Sequence, residues 1–117
     1  MKVKVSEASG IVLDWLVATA EKPVGGYKAW VQVNLDRGLV PAGVHADDWL
    51  TGGPIIERER ISIDLFRDGW YAVRGAQEDH YYRDTPQAAG PTALVAAMRC
   101  YVASRLGEEV EVPDELA

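Results

Sequence analysis

The strongest constraint on the fold is a long helical segment near the end of the chain, residues 91–106. Pro91 suits the first position of a helix, and Gly107 suits the position just after the last turn. Apolar residues recur at helical spacing and form a broad stripe of Leu94, Val95, Met98, Val102 and Leu106. A second face, which would let a neighbouring backbone come close, carries the small residues Ala96, Cys100, Ala103 and Ser104.

Residues 10–21 form the second predicted helix, with Ser9 as its N-cap and Pro23 shortly after its end. At 100° per residue, its apolar side chains fall into two stripes on opposite sides. One stripe comprises Leu13, Leu16, Val17 and Ala20, and the other comprises Ile11, Trp15 and Ala18. A helix with two apolar faces needs two neighbours. We therefore expect it to lie between a sheet and either another helix or a second copy of the chain.

Alternating apolar and polar residues predict strands between these helices. Residues 27–35 alternate, with Tyr27, Ala29, Val31, Val33 and Leu35 on one face. A second alternating run starts at Ile61, and Asp68-Gly69 separates it from a third. A two-residue Asp-Gly loop between such runs is a strong β-hairpin signal. Residues 76–90 are interpreted as a loop, with room for a short edge strand at Tyr81–Tyr82.

The predicted fold class is α+β, with residues 1–117 forming a single domain. A small, mainly antiparallel sheet is built from the hairpin 61–75 and the strand 27–35. It packs against the N-terminal helix 10–21 and the C-terminal helix 91–106.

The stretch "GGPIIERER", residues 52–60, contains a double glycine that matches neither a dinucleotide-binding motif nor a Walker A loop. We interpret the glycines as a turn. Pro54 suits the start of a helix, so one or two helical turns are predicted for residues 54–60, followed by the hairpin. The acids Glu57 and Glu59 are interpreted as surface ion-pair partners of the neighbouring arginines, an arrangement that contributes little to stability.

The chain is acidic, with a net charge of −6 and a pI near 4.8. This balance argues against binding to duplex nucleic acid, which usually requires a basic surface. Residues 107–117 contain five acids and no lysine or arginine, and we interpret them as a solvated tail. The single cysteine, Cys100, indicates a reducing compartment, and no apolar run reaches the roughly 20 residues of a membrane span. A cytoplasmic protein without membrane partners is expected.

No residue pattern predicts catalysis, a metal or a cofactor. His45 and His80 stand near acids, but without the spacing of a zinc site. Cys100 lies within a helix among apolar residues, where a buried structural thiol is the usual outcome. We predict no catalytic residues, no metal ligands and no cofactor.

The tryptophans are the more informative residues. Trp49 lies in a presumed loop beside acids, where Asp47 or Asp48 is expected to cap a short turn. Trp70 follows the Asp-Gly dipeptide of the hairpin. Exposed tryptophans often anchor interfaces, and the alternative is that these rings cap the open face of a small sheet.

Several blocks resemble the NinX-like family of tailed phages and prophages. These are "SGIVLDWLVATAE", "DDWLTGGPIIERE", the tryptophan and alanine at 70 and 72, and "AAMRCYVASRLGEEVEVPDEL". The resemblance implies a phage accessory protein in a bacterial cytoplasm, without an established activity. The recurrent residues are Trp15, Trp49, Gly53, Pro54, Glu57, Trp70 and Arg99. Arg60 departs from the pattern, because glycine is expected after "IIERE", and it argues against a tight turn there.

The leading hypothesis is a non-catalytic module that binds another protein or itself, with Trp49, Glu57, Trp70 and Arg99 as candidate binding residues. A homodimer through the second face of the N-terminal helix is its concrete version. Arg99 is expected to pair with Asp14 or Glu57. One alternative is a small-ligand binder or enzyme with a site near Trp49, Glu57 and Arg99. The other is an acidic nucleic-acid mimic.

Overall fold

Three helices and two small antiparallel sheets make up the computed structural model, which describes residues 1–22, 35, 38–39, 44–74 and 87–116. The predicted α+β class is confirmed. One sheet has the strand order β1-β5 and the other β2-β3-β4. In chain order the elements are β1 (Lys2–Lys4), α1 (Gly10–Glu21), α2 (Trp49–Glu59), β2 (Ile61–Phe66), β3 (Gly69–Arg74), β4 (Gln87–Gly90), α3 (Ala93–Leu106) and β5 (Glu109–Glu111).

The two predicted terminal helices are confirmed as α1 and α3. Ser9 occupies the N-cap of α1, although its side chain makes no capping bond. Thr92 caps α3, because its hydroxyl accepts a hydrogen bond from the Val95 amide at 3.1 Å. Pro91 therefore lies just before the cap and not in the first helical position. Gly107 ends α3 with a φ of 95°, a value that favours glycine.

Helix α1 buries its first apolar stripe and two of the three residues of its second stripe within one chain. Ala18 is fully buried, and Trp15 is 7% exposed, with its indole N–H donating to the Leu35 carbonyl at 2.8 Å. Helix α3 packs against α1 and contributes Ala96, Cys100 and Tyr101 to the same core. Trp15 and Ala18 of the second face are thus covered within the chain, whereas Ile11 of the same face remains 55% exposed.

The hairpin 61–75 is confirmed as β2 and β3, but its loop lies one residue earlier than predicted. Phe66 pairs with Gly69, so Arg67 and Asp68 form the two-residue connection. Gly69 has a positive φ of 140° and is the first residue of β3. The Tyr71 hydroxyl donates to the Asp68 carboxylate at 2.8 Å and braces this loop.

The third strand of this sheet is β4, which sequence analysis assigned to a loop. β4 pairs antiparallel with β3, and Gly90 faces Trp70 across the ladder. The residues of β4 have no strand propensity, so their conformation depends on pairing with β3. The predicted strand 27–35 lies outside the described residues, apart from Leu35, which is buried. The optional edge strand at Tyr81–Tyr82 also lies outside them.

Helix α2 starts five residues before the predicted one, because Asp48 caps it through a bond from the Leu50 amide at 2.9 Å. The double glycine is therefore helical, and its interpretation as a turn was wrong. Pro54 lies inside α2, where its ring removes one helix hydrogen bond. Gly52 is required by packing, since a β-carbon there would collide with the side chain of Leu94.

The two adjacent glycines of α2 are expected to respond oppositely to alanine. Gly53→Ala meets no atom within 4 Å, so helix propensity should stabilise the protein by roughly 0.5–1 kcal/mol. Gly52→Ala must displace the buried side chain of Leu94, which is expected to cost about 1–3 kcal/mol. Urea unfolding followed by circular dichroism measures both. A stabilised Gly52→Ala variant would contradict this account of the helix contact.

The C-terminal acids are exposed to solvent, as interpreted from the sequence, but part of the backbone that carries them forms a strand and not a free tail. Strand β5 pairs with β1, placing Glu111 opposite Lys2 and Glu109 opposite Lys4. Opposite charges in facing positions favour this register. Val112, just beyond β5, is 2% exposed and joins the core.

Helix α2 ends in a tight turn at Arg60, whose φ of 56° and ψ of 53° are left-handed. It is the sole non-glycine residue with positive φ in the described segments. The expectation that arginine at this position argues against a tight turn was wrong.

Arg60→Gly is expected to stabilise the fold by about 1 kcal/mol, because glycine adopts the left-handed conformation without strain. Arg60→Ala keeps the strain and removes the same charge, so it should change stability by only a few tenths of a kcal/mol. Thermal unfolding of the two variants beside the parent chain tests the difference. Equal effects would show that the charge, and not the backbone, sets the outcome.

Within the described residues, no helix is long and apolar enough to cross a membrane.

Candidate functional site

Trp49 and Trp70, distant in sequence, line one open groove of ≈ 610 Å³. Trp49 is the first residue of α2, and Trp70 is the second residue of β3. The starts of the other two helices complete the walls, through Ser9 and Gly10 of α1 and residues 92–95 of α3. Each of the helices α1, α2 and α3 therefore begins at this groove, which we call the tryptophan groove.

Large apolar side chains are exposed around the tryptophan groove. Trp49 is 57% exposed, and its neighbour Leu50 is 83% exposed. Leu65, 64% exposed, faces Trp70 across the β2–β3 ladder. Trp70 itself is half-buried and packs against the core. The groove thus combines a fixed ring, Trp70, with a more exposed one, Trp49.

The other two predicted binding residues lie elsewhere. Glu57 is exposed near the far end of α2 and does not line the tryptophan groove. Arg99 pairs with neither Asp14 nor Glu57. Its guanidinium donates to the backbone carbonyls of Ala8 at 2.9 Å and Ala89 at 3.0 Å. The structure therefore unites Trp49 with Trp70 and separates both from Glu57 and Arg99.

Glu59 is the carboxylate that the fold surrounds with partners, although sequence analysis placed it on the surface. Its side chain is 5% exposed and accepts bonds from Arg58 at 2.7 Å, from Arg74 at 2.7 Å and from Arg105 at 3.3 Å. Arg58 also binds the buried carboxylate of Glu21 at 2.8 Å. We call these five side chains the Glu59 cluster.

The Glu59 cluster gathers the last turns of all three helices. Glu21 ends α1, Arg58 and Glu59 end α2, and Arg105 lies in the last turn of α3. Arginine side chains there complement the negative ends of the helix dipoles. The helices consequently run in one direction, from the tryptophan groove to the Glu59 cluster.

Electrostatics keep Glu59 ionised. Burial alone would raise its pKa, but hydrogen bonds from Arg58 and Arg74 and the charge of Arg105 lower the pKa of Glu59 to about 2. The ring of Tyr101 lies 5.7 Å from the guanidinium carbon of Arg58 and 5.7 Å from that of Arg105. Burial raises the pKa of the Tyr101 hydroxyl to about 12, so it stays protonated. Near neutral pH, Glu59 therefore stays ionised and Tyr101 stays neutral.

Local sequence rules missed the Glu59 cluster because its members come from four elements. The alternation of Glu and Arg in "ERER" was visible, but it did not distinguish the buried acid, Glu59, from the exposed one, Glu57. One usable signal was helical spacing: Glu59 lies four residues after the buried Ile55 and so shares its face.

Among the residues that the structure describes, the remaining reactive side chains do not assemble a centre. Cys100 is fully buried, as predicted, and burial raises the pKa of its thiol to about 11. His45 lies 3.9 Å from the Asp14 carboxylate and is exposed, whereas His80 is outside the described residues. Across the described part of the chain, no group of three or more His, Cys, Asp or Glu side chains is placed to hold a metal ion.

The family model described as "Bacteriophage P22, NinX" matches residues 4–105, which span the three helices and the three-stranded sheet. A search of curated proteins finds no match.

Proposed function

Because the chain belongs to the bacteriophage P22 NinX family, and is therefore a phage accessory protein, we propose that it acts by binding another protein. The binding surface is the tryptophan groove, and the action is non-catalytic and takes place in the bacterial cytoplasm. The observation that carries the proposal is the meeting of Trp49 and Trp70 in one groove.

Three properties of the groove support an interface. Tryptophan is the side chain most often responsible for binding energy at protein interfaces. Leu50 and Leu65 add apolar area that is costly to leave in water. Trp70 is held by the core and by the β2–β3 ladder, so little conformational entropy would be lost on binding.

A different protein fits better than a second copy of the chain. On the predicted self-association face of α1, Trp15 and Ala18 are buried within one chain, which leaves Ile11, 55% exposed, to contact a second copy.

The alternative functions have less support. A small-ligand or enzyme site built from Trp49, Glu57 and Arg99 would need these side chains together, and they lie in three places. A nucleic-acid mimic needs free carboxylates along one face. Glu21 and Glu59 are instead bound by arginines, and β5 places its two glutamates opposite lysines.

Site-specific photo-crosslinking in cells tests the proposal. A benzophenone amino acid replaces Leu50, beside the tryptophan groove, or Glu57, at the other exposed end of the same helix. We expect one discrete adduct from position 50 and none from position 57. Adducts of equal yield from both positions would contradict the proposed surface, and an adduct of twice the chain mass would identify a second copy as the partner.

The captured protein is then purified and titrated against variants. Trp49→Ala is expected to weaken binding of the captured protein by about 2 kcal/mol or more, roughly thirtyfold. The reason is that the variant lacks the ring that would become buried in the complex. Trp49→Phe keeps most of the ring area and should retain most of the affinity. Since Trp49 is largely exposed in the free chain, its loss should leave the unfolding free energy nearly unchanged.

A further inference from the structure

A second concave site lies around Arg99. This cavity of ≈ 330 Å³ is bounded by the turn at Val5–Glu7, by β4, by α3 and by the start of β5. Its apolar walls include Val5, Ala88 and Ala103, and its polar groups include Ser6 and Arg99. The volume suits a small molecule with a few apolar atoms.

Arg99 reaches this cavity with unused hydrogen-bonding capacity. Its Nε donates to the Ala8 carbonyl and its Nη1 to the Ala89 carbonyl, and these bonds fix the plane of the guanidinium. Its Nη2 amino group has no acceptor in the part of the chain that the structure describes. A guanidinium has five N–H donors in a rigid fork, which suits an oxyanion better than a second carbonyl.

Among the described residues, Arg99 also has no countercharge. In the described residues no carboxylate comes within 4.0 Å of it, whereas Arg58, Arg74 and Arg105 all bind Glu59. Arg99 is only partly exposed, and burial lowers the pKa of its guanidinium. A cation that is partly removed from water without a partner gains most from a bound anion.

The other charged groups of the cavity limit the charge of the ligand. Lys4 faces Glu109 across the β1–β5 ladder, so their charges balance. Glu108, whose backbone carbonyl accepts from the Val5 amide at 2.9 Å, adds one further negative charge to the lining. A singly charged anion therefore suits the cavity better than a doubly charged phosphate.

We propose that the cavity binds a small aliphatic carboxylate, with its carboxylate on the free Nη2 group of Arg99 and its apolar part against Ala88 and Ala103. The Ser6 hydroxyl is placed to supply a further donor. This site is independent of the tryptophan groove, so either assignment can fail without the other.

The test is an NMR titration of the whole chain with sodium butyrate, against sodium chloride at equal ionic strength. The Nε–H signal of Arg99 should shift saturably with butyrate and not with chloride. Sodium phosphate should bind more weakly than butyrate. A shift that chloride reproduces, or tighter binding of phosphate, would overturn the proposal.

Three variants locate the binding. Ala103→Leu fills the cavity while keeping Arg99, and it is expected to weaken butyrate binding by about tenfold or more. Arg99→Gln should weaken butyrate binding to the same extent. If Arg99→Gln unfolds, Ala103→Leu still tests the proposal. Arg67→Gln removes one positive charge from the hairpin loop and should leave the affinity within about twofold. Unchanged affinity in Ala103→Leu would overturn the assignment.

Discussion

Replacing Glu59 by glutamine is expected to destabilise the folded chain by about 2–4 kcal/mol. The carboxylate is 5% exposed and binds three guanidiniums, which would be left close together without their shared anion. The arginine side chains remain 33–38% exposed, so water screens part of their repulsion and keeps the cost below that of a fully buried cluster. Glutamine has nearly the same shape, so packing changes contribute little.

Glu57→Gln is the matched control for this prediction. It makes the same chemical change two residues away in α2, on an exposed side chain, and should alter stability by less than about 0.5 kcal/mol. Urea unfolding at neutral pH gives both free energies. If the two variants lost equal stability, the Glu59 cluster would not be the source of the effect.

The Glu59 cluster also determines how stability depends on acid. The pKa of Glu59 is about 2 in the folded chain, against an ordinary value of 4.5, so the unfolded chain binds the proton more readily. Its contribution is complete above pH 4.5 and is lost as the pH falls towards 2. Glu59→Gln should therefore have a flatter stability profile over this interval than the parent chain. Parallel profiles would contradict the lowered pKa.

Gly90→Ala is expected to cost about 2–4 kcal/mol, because β4 and α3 approach closely at this residue. A β-carbon at Gly90 would lie 2.7 Å from the Ala96 amide nitrogen and 3.1 Å from its α-carbon. These are backbone atoms of a helix, so the clash cannot be relieved by rotating a side chain. The strand must move away from α3, and the pairing of Gly90 with Trp70 is strained as a result.

The control for Gly90→Ala is Ala89→Val at the exposed neighbouring position. That substitution adds more atoms to the same strand but points them to solvent, so its effect should stay within about 0.5 kcal/mol. Thermal and urea unfolding compare the two. A well-tolerated Gly90→Ala would show that β4 and α3 can separate without loss of packing.

Sequence patterns predicted the elements whose formation depends on local periodicity. The stripes of α1 and α3 and the alternation of β2 and β3 are such cases. Helix α2 was predicted too short because its double glycine has poor helix propensity. Its conformation depends instead on the Asp48 cap and on contact between Gly52 and Leu94. β4 and β5 were missed because their partners are distant in sequence.

In the candidate sites too, local sequence predicted some features, and others depended on contacts between residues distant in sequence. The tryptophans could be selected from composition, but their meeting in one groove required the three-dimensional arrangement of α2 and β3. Glu57 and Glu59 are indistinguishable in "ERER" by charge alone, and helical spacing from Ile55 is the signal that marks Glu59 as the buried one. Arg99 was selected from the family resemblance, and its partners turned out to be backbone carbonyls, which no residue pattern identifies.

The Glu59 cluster connects the C-terminal ends of α1, α2 and α3, and the N-terminal ends of these helices form the walls that a partner would touch. Weakening the Glu59 cluster should therefore change the angles between the helices. This change would distort the tryptophan groove, although the groove contains none of the substituted atoms. Glu59→Gln is then expected to increase amide hydrogen exchange around Trp49 more than Glu57→Gln does, even under conditions in which both variants remain folded.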